Sequence, residues 1–231
     1  PRFWNRLYRN LGNGHFEDVT QLAGLSGNGY SIGVAVGDYD NDGWPDLYVT
    51  NWGRNELYRN MGNGTFKEIT NEAGVAGGKM SSSATFFDYN RDGFLDLYVC
   101  RDVDWSFKNH KFCGFSSGRD YCDPKHFGGV PDLLFRNNRD GTFTDVSSAM
   151  GISLSSGKGL GVAIGDLDKD GWIDLYVAND GVPCFLFRNQ EGKNFEEIGL
   201  FTATALNSEG STFAGMGVDI ADYDNDTWPD I

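Results

Sequence analysis

The stretch Gly37-Asp38-Tyr39-Asp40-Asn41-Asp42-Gly43-Trp44-Pro45-Asp46-Leu47-Tyr48-Val49 decides the fold. Its carboxylates stand at positions 1, 3, 5 and 9 of a short loop, with the small-apolar run Gly33-Val34-Ala35-Val36 before it and an apolar run after it. The same pattern returns at 88–96, 166–174 and 222–230. Asp fills fifteen of the sixteen side-chain positions and Asn90 fills the other. Carboxylates crowded onto one turn repel each other unless a hard cation lies among them.

The spacing gives four oxygen ligand sets. The first is Asp38, Asp40, Asp42 and Asp46, with the backbone carbonyl of Trp44 at position 7. The second is Asp88, Asn90, Asp92 and Asp96 with the Phe94 carbonyl; the third is Asp166, Asp168, Asp170 and Asp174 with the Trp172 carbonyl. The fourth is Asp222, Asp224, Asp226 and Asp230 with the Trp228 carbonyl. An all-oxygen set with five protein ligands suits calcium better than magnesium, zinc or copper. Gly43 stands where the chain must turn with positive φ, and Thr227 takes that place in the fourth loop at a cost of roughly 1 kcal/mol. An EF-hand is excluded: its bidentate Glu at position 12 is replaced by Val49, Val99 and Val177, and the flanks are β-branched and aromatic rather than helical.

The loops sit inside a larger repeat. Leu7-Tyr8-Arg9-Asn10 returns as Leu57-Tyr58-Arg59-Asn60, Leu134-Phe135-Arg136-Asn137 and Leu186-Phe187-Arg188-Asn189, at aromatic spacings of 50, 77 and 52 residues. Each copy is followed by a Gly-bearing turn and a Phe. Four short strands are expected per unit, at 33–37, 46–50, 56–60 and 65–70 in the first full one, with Gly62-Asn63-Gly64 as the last hairpin turn. Four antiparallel strands every 40 to 50 residues, rich in Gly and aromatics, predict an all-β chain of β-propeller blades. The units are a half blade at 1–25, blades at 32–75, 83–152 (with an insertion at 101–131) and 160–205, and a half blade at 216–231. The blade aromatics are expected to be core.

Taken together, Gly-Asp-Tyr-Asp-Asn-Asp-Gly-Trp-Pro-Asp-Leu-Tyr-Val and Asn-x-Leu-Tyr-Arg-Asn-x-Gly-Asn-Gly-x-Phe resemble the FG-GAP, or VCBS, repeat found in integrin α propellers. The chain is more similar still to secreted FG-GAP proteins of the cartilage acidic protein (ASPIC/UnbV) type. These carry an insertion with a Cys-Gly…Tyr-Cys-x-Pro element, here Cys113-Gly114 and Tyr121-Cys122-Asp123-Pro124. The resemblance implies calcium-stabilised blades of a seven-bladed propeller, of which this chain is expected to be a fragment. It also implies an extracellular, secreted or cell-surface protein acting in recognition or adhesion.

The residues of the insertion leave its chemistry open between a Cys113–Cys122 disulfide and a zinc site with His110 and His126; the resemblance favours the disulfide. Cys100 and Cys184 are open between pairing and free thiols. A net charge of −14 and a pI near 4.5 disfavour nucleic acid. Four divalent ions would neutralise over half of that charge. No apolar run is long enough to span a membrane.

Strand alternation puts the four acidic loops on one face and the insertion, which joins strands two and three, on the other. Its Trp105 and Tyr121 are the candidate contacts for a protein or glycan partner. No His-Glu-x-x-His motif or phosphate-cradling loop is present and His is scarce, so no enzymatic activity is expected of this segment. The reading that follows is an extracellular calcium-binding recognition or adhesion module; the alternative is an accessory propeller of a secreted hydrolase or carbohydrate-active enzyme.

Overall fold

The structure is a computed structural model that describes residues 5–27, 29–115 and 118–231. Residues 1–4 of the first half blade and 116–117 of the insertion lie outside the described residues. An N-terminal hairpin, β1 (Tyr8–Gly12) and β2 (His15–Asp18), precedes three four-stranded antiparallel sheets. The first sheet is β3 (Tyr30–Gly37), β4 (Asp46–Trp52), β5 (Glu56–Asn60) and β6 (Phe66–Glu68). The second is β7 (Ser81–Phe87), β8 (Asp96–Arg101), β11 (Leu133–Asn137) and β12 (Phe143–Asp145); between β8 and β11 the insertion carries the small hairpin β9 (Cys113–Phe115) and β10 (Gly118–Asp120). The third is β13 (Gly159–Gly165), β14 (Asp174–Asn179), β15 (Phe185–Asn189) and β16 (Phe195–Glu197).

Alternation along each strand divides its side chains between two neighbours. In the second sheet, Leu97, Val99 and Phe135 pack toward the first sheet with Tyr39, Tyr48 and Leu57. The intervening Tyr98, Cys100 and Leu134 pack toward the third with Leu175, Val177 and Phe187. Tyr39, Tyr48, Tyr98 and Phe187 are fully buried, so the aromatics of the three full blades supply core as expected, whereas Tyr8 and Phe16 of the N-terminal hairpin are exposed. Each such side chain contributes roughly 1.5–3 kcal/mol by leaving water, which makes the inter-sheet faces the main source of stability.

The first strands β3, β7 and β13 lie in a row, with β7 against both of the others. Their small residues follow from that crowding. A Cβ on Gly33 would stand 2.5 Å from the Ser82 carbonyl oxygen, and one on Gly161 would stand 3.1 Å from Gly217 Cα. All three strands also shift register near their start, at Ser31/Gly33, Ser81/Ala84 and Gly159/Gly161. Such bulges sharpen the local twist.

Two features differ from the sequence expectation. The fourth strand is shorter than 65–70, because Thr70–Ala73 forms a helical turn closed by Gly74 at φ 77°. Glu68 accepts the Thr70 backbone N–H there, and Thr70 Oγ1 accepts the Leu57 N–H; Asp145 and Ser147 repeat the arrangement on Leu134. Second, residues 216–231 carry one bridge, Ala221 with Asp230, rather than a ladder, although Ile220 packs near Gly165 of β13. Among the described residues no helix is long and apolar enough to cross a membrane.

Candidate metal-binding loops

The acidic loops follow from local backbone chemistry. In the first, the Asp38 carboxylate accepts the N–H groups of Asp42 and Gly43 at 3.1 and 2.9 Å, and Asp42 accepts that of Trp44 at 3.0 Å. These contacts curl the chain so that Gly43 reaches φ 87° and Asn41 φ 57°. Gly93 and Gly171 adopt φ 85° and 89°, and Thr227 is held at 77°, the left-handed conformation expected for it. The Trp44 ring lies over the Gly62 turn, where a Cβ would come within 2.7 Å of Nε1.

The curl brings carboxylates together. Oxygens of Asp38, Asp40 and Asp42 lie within 4.8 Å of one another, as do those of Asp166, Asp168 and Asp174 and those of Asp222, Asp224 and Asp230. Positions 1 and 3 belong to every such group, while the third member varies. In the second loop Asn90 stands in for a carboxylate; Asp88 there accepts the Asp92 and Gly93 N–H groups just as Asp38 does. Asp226 and Asp170 lie outside their loops' triads, as does Asp46.

In the first three loops the ninth-position carboxylate is the buried member, whereas Asp230 of the fourth is half-buried. Asp46 accepts the Asn60 and Tyr39 N–H groups at 2.7 and 3.2 Å, Asp96 those of Asn137 and Tyr89, and Asp174 those of Asn189 and Leu167. Burial pushes Asp46 and Asp174 up to about 6 and Asp96 up to about 7, against those hydrogen bonds. Burial also raises Asp40. Asp40 Oδ1 and Asp166 Oδ1 are buried without a hydrogen-bond partner. A buried carboxylate oxygen with no donor is costly unless a cation meets it, so the first and third loops fit a divalent ion. Arg59 Nη2 reaches Asp40 at 2.7 Å and Asp42 at 3.1 Å, and Arg139 reaches Asp92 at 2.9 Å.

Sequence reasoning used the Tyr/Phe-Arg-Asn element only for alignment and missed the role of its Asn. Asn137 Nδ2 donates to Leu95 O of its own loop and to Tyr39 O of the preceding one; Asn189 does the same to Ile173 O and Tyr89 O. The invariant spacing of that Asn within the repeat was the available signal. On the opposite face, Cys113 and Cys122 form a disulfide with Cα atoms 5.2 Å apart, which excludes them as zinc ligands. Cys100 and Cys184 are free and buried. Trp105 packs at 5.2 Å from Trp52 and 5.3 Å from Phe107, and it lines the same cleft as the exposed Tyr121.

Antiparallel four-stranded sheets stacked face to face, each with an acidic loop between its first two strands, define an array of β-propeller blades. The chain belongs to the FG-GAP-like repeat family, which matches at residues 4–49, 38–99, 128–177 and 166–231. It is 37% identical over 109 residues to cartilage acidic protein 1 of Xenopus tropicalis, covering 46% of this chain and 16% of that protein. It is 34% identical over 67 residues to the Homo sapiens cartilage acidic protein 1, covering 29% and 10%. The match thus spans only a small part of the length of these relatives. An Agrocybe aegerita lectin whose structure concerns recognition of non-reducing terminal N-acetylglucosamine superposes with a TM-score of 0.44 and 18% identity, over 83% of this chain and 45% of the lectin.

Proposed function

We propose that the chain is an extracellular calcium-binding repeat module for protein recognition or adhesion, without catalytic activity of its own. The observation that carries the metal assignment is the pair of buried, donorless oxygens Asp40 Oδ1 and Asp166 Oδ1, each in a loop that gathers three carboxylates. Asp38, Asp40, Asp42 and Asp46, with their counterparts in the other loops, would hold the ion, aided by the carbonyls of Trp44, Phe94, Trp172 and Trp228. The ion's part is to neutralise the carboxylates at one end of each sheet. Extracellular placement is supported by the family, by the cartilage acidic protein relatives and by the Cys113–Cys122 disulfide, which persists best in an oxidising compartment. Extracellular calcium modules bind at about 10⁻⁴–10⁻³ M, and sites without a bidentate Glu belong in that range.

The test is thermal unfolding of chelated protein. Calcium is expected to raise Tm and magnesium to leave it nearly unchanged, with a calorimetric stoichiometry near four. A Tm indifferent to chelation and to calcium would remove the metal assignment.

A further inference from the structure

The face opposite the acidic loops holds an open cleft of about 890 Å³ at the base of the insertion. Backbone pairing builds it. Trp52, the last residue of β4, bridges Met80, and the Met80 carbonyl accepts the Asp102 N–H at 3.0 Å. Asp102 therefore stands one strand away from Trp52, and both line the cleft. The Trp52, Trp105 and Phe107 rings form a wall with centroids 5.1–5.3 Å apart, and Tyr121, 97% exposed, stands at the mouth.

Asp102 is the anomaly in this wall. It is 6% exposed, and its Oδ1 is buried with no hydrogen-bond partner. Its neighbour Asp104 is paired with Lys79 at 2.8 Å, whereas among the described residues no cation makes ion-pair contact with Asp102. Lys158, buried nearby, donates to the Pro124 carbonyl instead. Burial holds the Asp102 carboxyl up at about 6 and the like charge of Asp180 adds to that, while the charge of Lys158 opposes it; Arg119, the basic residue of the cleft lining, contacts His110. A donorless buried carboxylate beside aromatic faces calls for a ligand that is both donor and cation. The cleft wall already receives one: Lys111 Nζ lies 5.5 Å from the Phe127 ring centroid.

The geometry points to a cleft that takes a basic side chain, lysine or arginine, displayed by a partner protein: its charge meets Asp102 and its stem lies along Trp52, Trp105 and Phe107. Exposed Tyr30 and Tyr121 flank that pocket and offer the partner's backbone a surface to rest on. Even with four divalent ions offsetting part of its net charge of −14, the chain stays negative, the sign that draws a basic partner. This assignment rests on the recognition role proposed above and names its ligand class.

The probes are blocked Ala-Lys-Ala and Ala-Arg-Ala peptides, the uncharged Ala-norleucine-Ala and N-acetylglucosamine, titrated in calcium buffer with tryptophan fluorescence and ligand-observed NMR as readouts. The cationic peptides are expected to saturate, and norleucine to bind at least about tenfold more weakly. Asp102→Asn and Trp105→Ala should each weaken the cationic peptides about tenfold. Tyr121→Ala, at a fully exposed position, serves if Trp105→Ala loses its fold by Tm. No saturable binding of either cation, equal binding of norleucine, or undiminished binding to Asp102→Asn overturns the assignment. Saturation by N-acetylglucosamine alone would give the cleft to a sugar instead. Tm with and without calcium, recorded on the same samples, separates failure of this assignment from failure of the calcium one.

Discussion

The guanidinium of Arg91, fourth residue of the second acidic loop, stands 4.6 Å from the ring centroid of Trp172, seventh residue of the third. The relation repeats around the array. Lys169 Nζ lies 4.0 Å from the Trp228 ring, and Asn41 Nδ2 donates to the Gly93 carbonyl at 2.8 Å. All three fourth-position residues have positive φ, which aims the side chain at the next blade. The acidic ends of the blades are thus fastened to one another as well as to their own sheets. Arg91→Ala is expected to cost ~0.5–1 kcal/mol in denaturant unfolding, with a similar coupling to Trp172→Leu in a double-mutant cycle. A coupling near zero would make the contact incidental.

Arg59 spans Asp40 and Asp42, the carboxylates proposed to hold calcium, and would compete with the ion for them. Arg59→Ala should therefore lower the Tm of chelated protein yet raise calcium affinity at the first loop by roughly two- to tenfold, on the scale of one partly exposed ion pair. Calorimetric titration reads both the affinity and the number of sites; unchanged or weaker affinity would contradict the competition.

The buried ninth-position carboxylates give a pH dependence whose sign can be worked out. Their folded pKa values, about 6 for Asp46 and Asp174 and about 7 for Asp96, lie above the unfolded value of 3.8. The folded state therefore holds more protons, and stability from these groups is lost as pH rises through that window, by on the order of 1–3 kcal/mol per group. In EDTA, Tm should fall between pH 5 and pH 7.5; in calcium the fall should shrink, because the ion favours the charged carboxylates. Asp132, buried between Tyr98 and the Arg101 N–H and also raised to about 6, leaves a residual slope that calcium does not remove. A Tm that rises with pH in EDTA would refute the assignment of these groups.

Asn137 carries a buried link between blades, donating to Tyr39 O at 2.8 Å and Leu95 O at 3.0 Å. Asn137→Ala strands both carbonyls and should cost ~2–4 kcal/mol, whereas Asn138→Ala next to it, bonded to Thr142 at the exposed turn, should cost less than ~0.5 kcal/mol. Equal costs would mean that the buried link does not matter.

Much of this architecture was legible because each unit repeats its signals in register. The acidic spacing, the Tyr/Phe-Arg-Asn element and the Gly-Asn-Gly turn gave the all-β blade architecture and the order of the four strands in the first full blade, with the fourth running past its observed end at Glu68. What escaped detection was non-local or too short to show periodicity. The helical turn at Thr70–Ala73 depends on Glu68 capping it and on Gly74 ending it. The bridge from Asn137 to Tyr39 spans 98 residues, and Arg59 reaches two carboxylates across a hairpin, so neither is visible in a local pattern. Trp105 was legible as a candidate partner contact in the insertion, yet its geometry with Trp52 and Asp102 needed the fold.

The insertion leaves no trace in the sheet that bears it. Leu133 pairs with Val99 on the far side of the excursion just as Glu56 pairs with Val49 and Phe185 with Val177 across short connections. The junction between a blade's middle strands therefore behaves as a neutral docking point for sequence. A foreign segment spliced beside the exposed Arg54 or Gly181, clear of the buried Asn55 and Cys184, would be displayed above the pleats rather than within them, which suits this scaffold to grafted loops.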